Sequence, residues 1–251
     1  MKTTGNTILV TGGGSGIGRA LAVAFHARGD RVIVAGRRRA ALAEVTAAYP
    51  GIEAIELDVT DPIAIAAFAA DATARFPDLD VLVNNAGIMR YEDLRTPAHL
   101  ADAEATVVTN LLGPIRLTAA LLPHLQSRPA ATVINVTSGL AFVPLTGTPA
   151  YSATKAGLHA YTQTLRRQLA GSTVEVIELA PPYVQTELTG AHQAIDPRAM
   201  PLDEFIAEVM SILGRVPTPA EVIVERCEPL RHAVENGEFD QIFDALATMH
   251  E

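Results

Sequence analysis

The chain has 251 residues, of which 49% are hydrophobic and 19% charged, and a formal net charge of −9. This composition suits one folded α/β domain and excludes a disordered chain, while the negative charge argues against nucleic-acid and anionic-membrane surfaces. The single cysteine, Cys227, can form no internal disulfide. No signal peptide and no apolar run of the ~20 residues that span a membrane stand out. A cytoplasmic location and a small-molecule partner are therefore predicted, with no nucleic acid, membrane or metal site.

The first predicted unit is a strand, a glycine turn and a helix. The apolar run 8–10 leads into TGGGSGIG at 11–18, which is followed by apolar residues at helical spacing. Gly12, Gly16 and Gly18 permit positive φ and close approach of a ligand, and the helix N-terminus behind them offers N–H groups to a phosphate. This placement predicts a dinucleotide diphosphate site, with a purely structural turn as the alternative.

A basic cluster follows the second predicted strand. Residues 31–35 read as this strand, and Gly36 then precedes Arg37 and Arg38. Dinucleotide folds place an acidic residue about 20 positions after the glycines to bind a ribose 2′-hydroxyl, whereas an Arg there accommodates a 2′-phosphate. The cofactor is thus predicted to be NADP(H) in preference to NAD(H). The alternative, a solvated basic helix start, is unfavourable because cations destabilise a helix N-terminus that binds no anion.

The rest of the chain alternates strands and helices. Further strands are predicted at 52–59, 80–83, 131–136 and 173–179, and helices at 40–48, 61–76, 97–125, 150–170, 202–213, 219–236 and 239–247. A bend is expected at Gly113-Pro114. The pattern predicts a single doubly wound α/β domain, 1–251, with six parallel strands between two helical layers. Residues 183–251 would supply a mobile substrate loop and C-terminal helices.

Three polar side chains lie near the end of the fifth strand. Tyr151 and Lys155 are four residues apart and share one face of a helix. A nearby ammonium favours phenolate and lowers a phenol pKa from about 10, so Tyr151 is predicted to exchange protons at neutral pH. Ser138 could bring a hydroxyl to the same point, and Asn110 could hold a water beside a carbonyl freed at Pro114. The alternative is a surface Tyr-Lys pair and a loop serine.

Together these motifs resemble the short-chain dehydrogenase/reductase family over about residues 5–190. Residues 11–18 match its TGxxxGxG, residues 84–87 its NNAG, Asp58 its adenine-contacting acid, and the set Asn110, Ser138, Tyr151 and Lys155 its catalytic tetrad. The resemblance implies a Rossmann fold. It also implies hydride transfer between a nicotinamide and a carbonyl or secondary alcohol, with Tyr151 as acid and base.

The resemblance also implies a set of binding residues. The diphosphate contacts would be Gly12, Ser15, Gly16, Ile17 and Gly18; the adenine contacts Asp58 and Val59; the adenosine ribose contacts Asn84, Ala86 and Gly87; and the nicotinamide side contacts Tyr151, Lys155, Pro181, Val184 and Thr186. The substrate pocket is predicted from Leu140, Ala141, Val143 and Tyr183, with Met89 and loop 185–200 as additions. This lining is largely apolar and favours a hydrophobic carbonyl or alcohol. His192 is interpreted as solvated.

Two departures from the family pattern stand out. Pro181-Pro182 stands where the family has Pro-Gly, and the usual final strand is not recognisable. Residues 142–182 and the C-terminal ending resemble a smaller bacterial branch, the DltE-type oxidoreductases, which leaves the substrate open. A dimer through helices 97–125 and 150–170 is preferred to a tetramer. A non-catalytic NADP(H)-binding sensor or regulator on the same fold is the alternative function.

Overall fold

The chain folds around one sheet of seven parallel strands. The computed structural model describes residues 1–248; the last three residues of the predicted domain lie outside the described residues. The strands are β1 Thr7–Thr11, β2 Arg31–Gly36, β3 Glu53–Glu56, β4 Val81–Asn84, β5 Ala131–Val136, β6 Val174–Ala180 and β7 Glu221–Ile223. They are hydrogen-bonded in the order β3-β2-β1-β4-β5-β6-β7. The predicted doubly wound parallel sheet is confirmed.

Helices cover both faces of this sheet. They are α1 Gly16–Ala27, α2 Arg39–Ala48, α3 Pro62–Arg75, α4 Leu100–Val107, α5 Gly113–Gln126, α6 Pro149–Gln168, α7 Leu202–Leu213, α8 Glu228–Arg231 and α9 Phe239–Thr248. One buried apolar cluster joins the sheet to α1, α2 and α7. A second joins it to α3, α5 and α6. The result is the predicted three-layer Rossmann arrangement.

The strand order creates a crevice at the carboxyl edge of the sheet. β1 pairs with β2 on one side and with β4 on the other. The chain winds away from β1 in both directions, and doubly wound sheets bind ligands at the carboxyl edge beside such a reversal of strand order. All residues of β1 and β5 are buried, as expected for parallel strands covered on both faces.

The C-terminal part of the sheet corrects the predicted strand count. The six-strand prediction and the helix predicted at 219–236 are wrong, because β7 lies within that range and pairs with β6. Three residues are too few to show a strand period against the surrounding helix-like pattern. After α8, the amphipathic α9 follows, with the Phe239 and Phe243 rings stacked 6.0 Å apart.

The long helical segment between β4 and β5 contains a local irregularity. A bend was expected at Gly113-Pro114; the structure has a π-helical turn, Val108–Leu112, directly before that pair. The run Pro97–Gln126 is long and apolar enough to cross a membrane, but a buried core helix can have the same length and composition. Leu117, Leu121 and Leu125 of this run are buried in the second apolar cluster, as in a core helix.

Candidate active site

Ser138 and Tyr151 meet at the carboxyl end of β5. Ser138 follows the strand in extended conformation, and its Oγ accepts a hydrogen bond from Leu140 N at 3.1 Å. The Ser138 and Tyr151 hydroxyls are hydrogen-bonded to each other, and both side chains are buried. Gly139 N donates to Pro181 O at 2.8 Å, which ties this loop to the end of β6. Two neighbouring strand ends therefore fix the serine beside the phenol.

Lys155 lies one helical turn from Tyr151 on α6, as predicted. Its Nζ donates to Val136 O at 2.8 Å and lies 5.5 Å from the centre of the Tyr151 ring. Burial lowers the pKa of Lys155 to about 8. Burial raises the pKa of Tyr151 to about 12, and the hydrogen bond with Ser138 opposes that rise.

The predicted fall of the Tyr151 pKa below its ordinary value is therefore wrong for this chain, because the net shift is upward. The ammonium binds a backbone carbonyl instead of the phenol oxygen. The desolvation of the phenol in its buried position outweighs the favourable hydrogen bond. A pKa of about 12 leaves the phenol of Tyr151 protonated at neutral pH.

Asn110 lies in the π-helical turn and is fully buried. Its Oδ1 accepts from Ile88 N at 2.9 Å, and its Nδ2 donates to Ile88 O at 2.8 Å. The amide thereby holds the loop after β4. Its Nδ2 also lies 3.5 Å from Thr154 Oγ1, so Asn110 reaches α6 next to Lys155. The structure brings Asn110 to the site, with both of its polar atoms engaged by the backbone.

The glycine turn packs closely against the loop after β4. A Cβ on Gly12 would lie 2.9 Å from Ala86 Cα, and a Cβ on Gly18 would lie 2.5 Å from Gly12 O. Thr11 Oγ1 accepts hydrogen bonds from the backbone N–H groups of Asn85 and Ala86, at 2.9 and 3.0 Å. Thr11 and Asn85, which the sequence analysis did not single out, fasten the two loops together. Both residues lie within the motifs at 11–18 and 84–87, so these motifs could have indicated their importance.

The N-terminus of α1 fits a phosphate group. Ser15 is the N-cap residue, but its side chain makes no cap hydrogen bond, and the first turn of α1 contains no acidic residue. A Cβ on Gly16 would meet only Thr186, at 3.6 Å. Arg38 Nη2 donates to Ser15 Oγ at 2.6 Å. N–H groups, a helix dipole and a guanidinium converge here, which suits the diphosphate of a dinucleotide.

Arg37 and Asp58 lie beside each other at the ends of β2 and β3. Asp58 Oδ1 accepts from Thr60 N and Thr60 Oγ1, at 2.9 and 2.7 Å. Partial burial raises the pKa of Asp58, but the Thr60 bonds and the Arg37 charge lower it more, so the net direction is downward. Val59 packs on α5, where a Cβ on Gly113 would lie 3.2 Å from Val59 Cβ. Both predicted adenine contacts thus follow the carboxyl end of β3.

The side chain of Asn84 is directed into the core. Its Nδ2 donates to Thr118 Oγ1 at 3.0 Å and to Asn135 Oδ1 at 2.8 Å, and Asn135 donates in turn to Thr162. The amide nitrogen of this predicted ribose contact is therefore engaged by other side chains of the protein. Gly87, by contrast, lies against Asn110, because a Cβ there would be 3.3 Å from Asn110 Oδ1.

The predicted mobile loop 183–200 is tied together by one buried side chain. Gln193 Nε2 donates to Val184 O at 2.8 Å and to Thr186 Oγ1 at 3.0 Å. Gln193 Oε1 accepts from Thr189 N and Thr189 Oγ1, at 3.0 and 2.8 Å. Val184 and Thr186, the predicted nicotinamide contacts, are thus held by Gln193, which the sequence analysis missed because a lone Gln in a polar loop carries no pattern.

The predicted substrate residues differ in exposure. Val143 is fully buried, Leu140 and Ala141 are partly buried, and Tyr183 is exposed with its hydroxyl donating to Asp196 Oδ2 at 3.2 Å. His192 is exposed, as interpreted, and contacts Thr189. A cavity of about 330 Å³ lies at the amino edge of the sheet, away from these residues. Its lining includes Lys2, Asn6, Asp80, Thr132 and Glu175. This cavity and Ser138 therefore lie at opposite ends of the strands.

Comparison with known proteins identifies the family. The short chain dehydrogenase family matches residues 6–196, so the chain belongs to this family and is an oxidoreductase with a small-molecule substrate. It is 39% identical over 253 residues to the uncharacterized oxidoreductase DltE of Bacillus subtilis, covering 99% of both chains.

Two solved structures share the fold over nearly the whole chain. A short-chain dehydrogenase from Streptomyces avermitilis has a TM-score of 0.82 and 31% identity, covering 96% of each chain. A short chain dehydrogenase from Burkholderia cenocepacia, solved in complex with NADP, has a TM-score of 0.82 and 26% identity, covering 98% of this chain and 99% of that one.

Proposed function

We propose that this protein is an NADP(H)-dependent oxidoreductase that interconverts a carbonyl and a secondary alcohol, with Tyr151 as the proton donor and acceptor. The observation that carries the proposal is the buried cluster of Ser138, Tyr151 and Lys155 at the crevice edge of the sheet. When bound, the nicotinamide supplies the hydride chemistry, and the protein supplies position and electrostatic field.

Each member of the cluster has a defined task in reduction. Negative charge grows on the substrate oxygen, where Ser138 donates a hydrogen bond and Tyr151 delivers its proton. A phenol whose pKa is raised to about 12 carries that proton throughout the neutral range. Lys155, when protonated, favours the phenolate left behind and so stabilises the product side of the proton transfer.

The basic residues after β2 support the choice of NADP(H). Gly36 ends β2 without a carboxylate, Arg38 reaches Ser15 in the glycine turn, and the Arg37 charge acts on Asp58. Two guanidinium groups after β2 and the lack of a carboxylate there support recognition of a ribose 2′-phosphate. The NADP in the Burkholderia cenocepacia structure agrees with this choice.

Variants of these arginines test the cofactor preference. Arg37→Ala and Arg38→Ala should each weaken NADPH binding by roughly tenfold or more, the value of one charge-assisted hydrogen bond, and change NADH binding little. Arg39→Ala is the matched control, because Arg39 is paired with Glu56. Equal losses for both cofactors, measured by fluorescence titration, would show that the 2′-phosphate is not recognised there.

The activity itself is tested by mixing the protein with NADPH and a panel of ketones and aldehydes, hydrophobic ones included. Loss of nicotinamide absorbance is expected with at least one hydrophobic carbonyl, since Leu140, Ala141 and Tyr183 give the predicted pocket a largely apolar character. Binding of NADPH without turnover across a broad panel would instead support the sensor function.

A dimer is the proposed assembly. α4 and α6 pack side by side, and their outer face carries small or apolar exposed side chains: Val107, Ala153, Ala156 and Ala160. Such a face lets two copies approach closely, and no charged side chain would be buried at those four positions. Two copies of this pair of helices would then form a four-helix contact.

A further inference from the structure

A buried carboxylate lies directly behind the reactive serine. Glu178, in the middle of β6, is completely buried, and its neighbours along the strand are Ile177 and Leu179. Thr137 Oγ1 donates to Glu178 Oε1 at 2.7 Å, and Thr137 is the residue before Ser138. Burying a carboxylate is unfavourable compared with a well-packed apolar side chain, so stability alone does not explain this residue.

His159 completes the hydrogen-bonded chain from the other side. Its Nδ1 lies 2.9 and 2.8 Å from the two oxygens of Glu178, and since an ionised carboxylate only accepts, Nδ1 is the donor. Tyr151, Lys155 and His159 follow one another at intervals of four on α6 and share one face of it. His159 and Glu178 therefore connect the helix that carries the phenol to the loop that carries the serine.

The C-terminal segment closes this cluster. The Phe142 ring meets the His159 ring edge-on at 5.0 Å, and the Arg231 guanidinium covers Phe142 at 5.1 Å. Arg231 binds Glu221 of β7 at 2.8 Å.

Cys227 also lies in this segment. Burial, together with Glu228 and Glu178, raises the pKa of the Cys227 thiol to about 12, so it is no nucleophile partner for His159.

We propose that the chain Thr137–Glu178–His159 is a positioning system for the reaction. It holds residues 136–138, in which the Val136 carbonyl accepts from Lys155 and Ser138 meets Tyr151. His159 and Glu178 are positioning residues, since they act through Thr137 and not on the reactants. The inference rests on the proposed oxidoreductase function. A displacement of the order of 1 Å at a catalytic group lowers the rate strongly while leaving ground-state binding intact.

Kinetics of three variants test this role. His159→Leu should lower kcat by about tenfold or more with KM for NADPH and substrate nearly unchanged. His159→Asn, which keeps an N–H donor near the position of Nδ1, should recover most of the loss. Arg166→Leu is the matched control: Arg166 also ties α6 to β6, through Val176 O at 2.8 Å, but away from Ser138. It should lower the melting temperature without changing kcat.

A second readout needs no turnover. Amide hydrogen exchange of residues 136–140 should become faster in His159→Leu and stay unchanged in Arg166→Leu. Should His159→Leu fail to fold, Thr137→Val replaces it, because this variant removes the hydroxyl that donates to Glu178 Oε1 and, at 3.4 Å, to Leu179 O. The inference would be overturned if His159→Leu changed neither kcat nor the exchange of residues 136–140. Equal losses of kcat in His159→Leu and Arg166→Leu, or no recovery of kcat in His159→Asn, would also overturn it.

The two proposals fail in different ways. A wild-type protein without turnover on the whole panel would overturn the proposed function and the kinetic role of His159, whereas the exchange data would still show whether the pair holds residues 136–140. An active wild-type protein whose His159→Leu variant keeps full kcat would overturn only the positioning role.

Discussion

At the scale of single residues, Tyr151 is the side chain on which the proposed chemistry depends most. Its hydroxyl is bonded to Ser138 in a buried setting, where it can give a proton to the substrate oxygen or take one from it. Tyr151→Phe should therefore lower kcat by about 10²- to 10⁴-fold, the usual contribution of a general acid.

Cofactor binding provides the control for that variant, because the ring of Tyr151→Phe keeps the packing of α6. The dissociation constant for NADPH should stay within about twofold of the wild type, since no charge-assisted hydrogen bond is lost from the diphosphate side. Turnover at the wild-type rate in Tyr151→Phe would contradict the assigned role. Loss of NADPH binding would show that the phenol acts in recognition.

Lys155 offers a direct test of the electrostatics, because the chain contains two lysines, Lys2 and Lys155. Carbon-13-labelled lysine should give two titrating signals, one of which disappears in Lys155→Met. That signal should titrate near the lowered pKa of about 8 and not at the ordinary 10.5, because burial disfavours the ammonium. A midpoint near the ordinary value would contradict the buried geometry.

The same pKa shift predicts how stability depends on pH. Between about 8 and 10.5 the unfolded chain retains the Lys155 proton that the folded chain has lost, so the free energy of unfolding should rise with pH across this window. Lys155→Met should remove that part of the rise, measured by urea denaturation at several pH values.

At the scale of elements, the loop after β6 depends on Gln193. Its buried amide group donates two hydrogen bonds, to Val184 and Thr186, and accepts two from Thr189. Gln193→Ala should leave these partners unsatisfied and free the loop, at a cost of about 1–3 kcal/mol per buried unsatisfied group. Weaker NADPH binding and faster proteolysis within 183–200 are expected.

Gln185 provides the control for the loop prediction. It lies in the same loop and makes a single side-chain bond, from Nε2 to Asp196 O at 3.1 Å. Gln185→Ala should therefore change NADPH binding and proteolysis much less than Gln193→Ala. Equal effects of the two variants on NADPH binding and proteolysis would contradict the particular role of Gln193 in this loop.

The elements also show what sequence patterns can reveal. The glycine turn and the spacing of Tyr151 and Lys155 were predicted because local motifs and helical periodicity determine them. The π-helical turn at 108–112 was not predicted; it places Asn110 in contact with Ile88, a long-range contact that local sequence patterns do not show. The pKa of Tyr151 was predicted in the wrong direction because sequence spacing shows neighbours but not burial.

At the scale of the whole molecule, alternation of strands and helices was enough to predict a doubly wound sheet, but not its size. β7 is three residues long and is recognisable only through its pairing with β6. The Glu178–His159 contact joins residues 19 positions apart on different elements, so it too needed the fold. Long-range hydrogen bonds of this kind leave no periodic trace in a sequence.

The assembly prediction follows from the face shared by α4 and α6. A dimer through this face should give a light-scattering mass of twice the chain mass of 26.5 kDa. Ala156→Arg places a long charged side chain at the centre of the proposed contact, where a buried unpaired charge is strongly unfavourable, and should yield monomers. Ala70→Arg, on the exposed face of α3, is the control that should keep the wild-type mass. A wild-type mass equal to one chain, or a dimer that survives Ala156→Arg unchanged, would rule out this face as the interface.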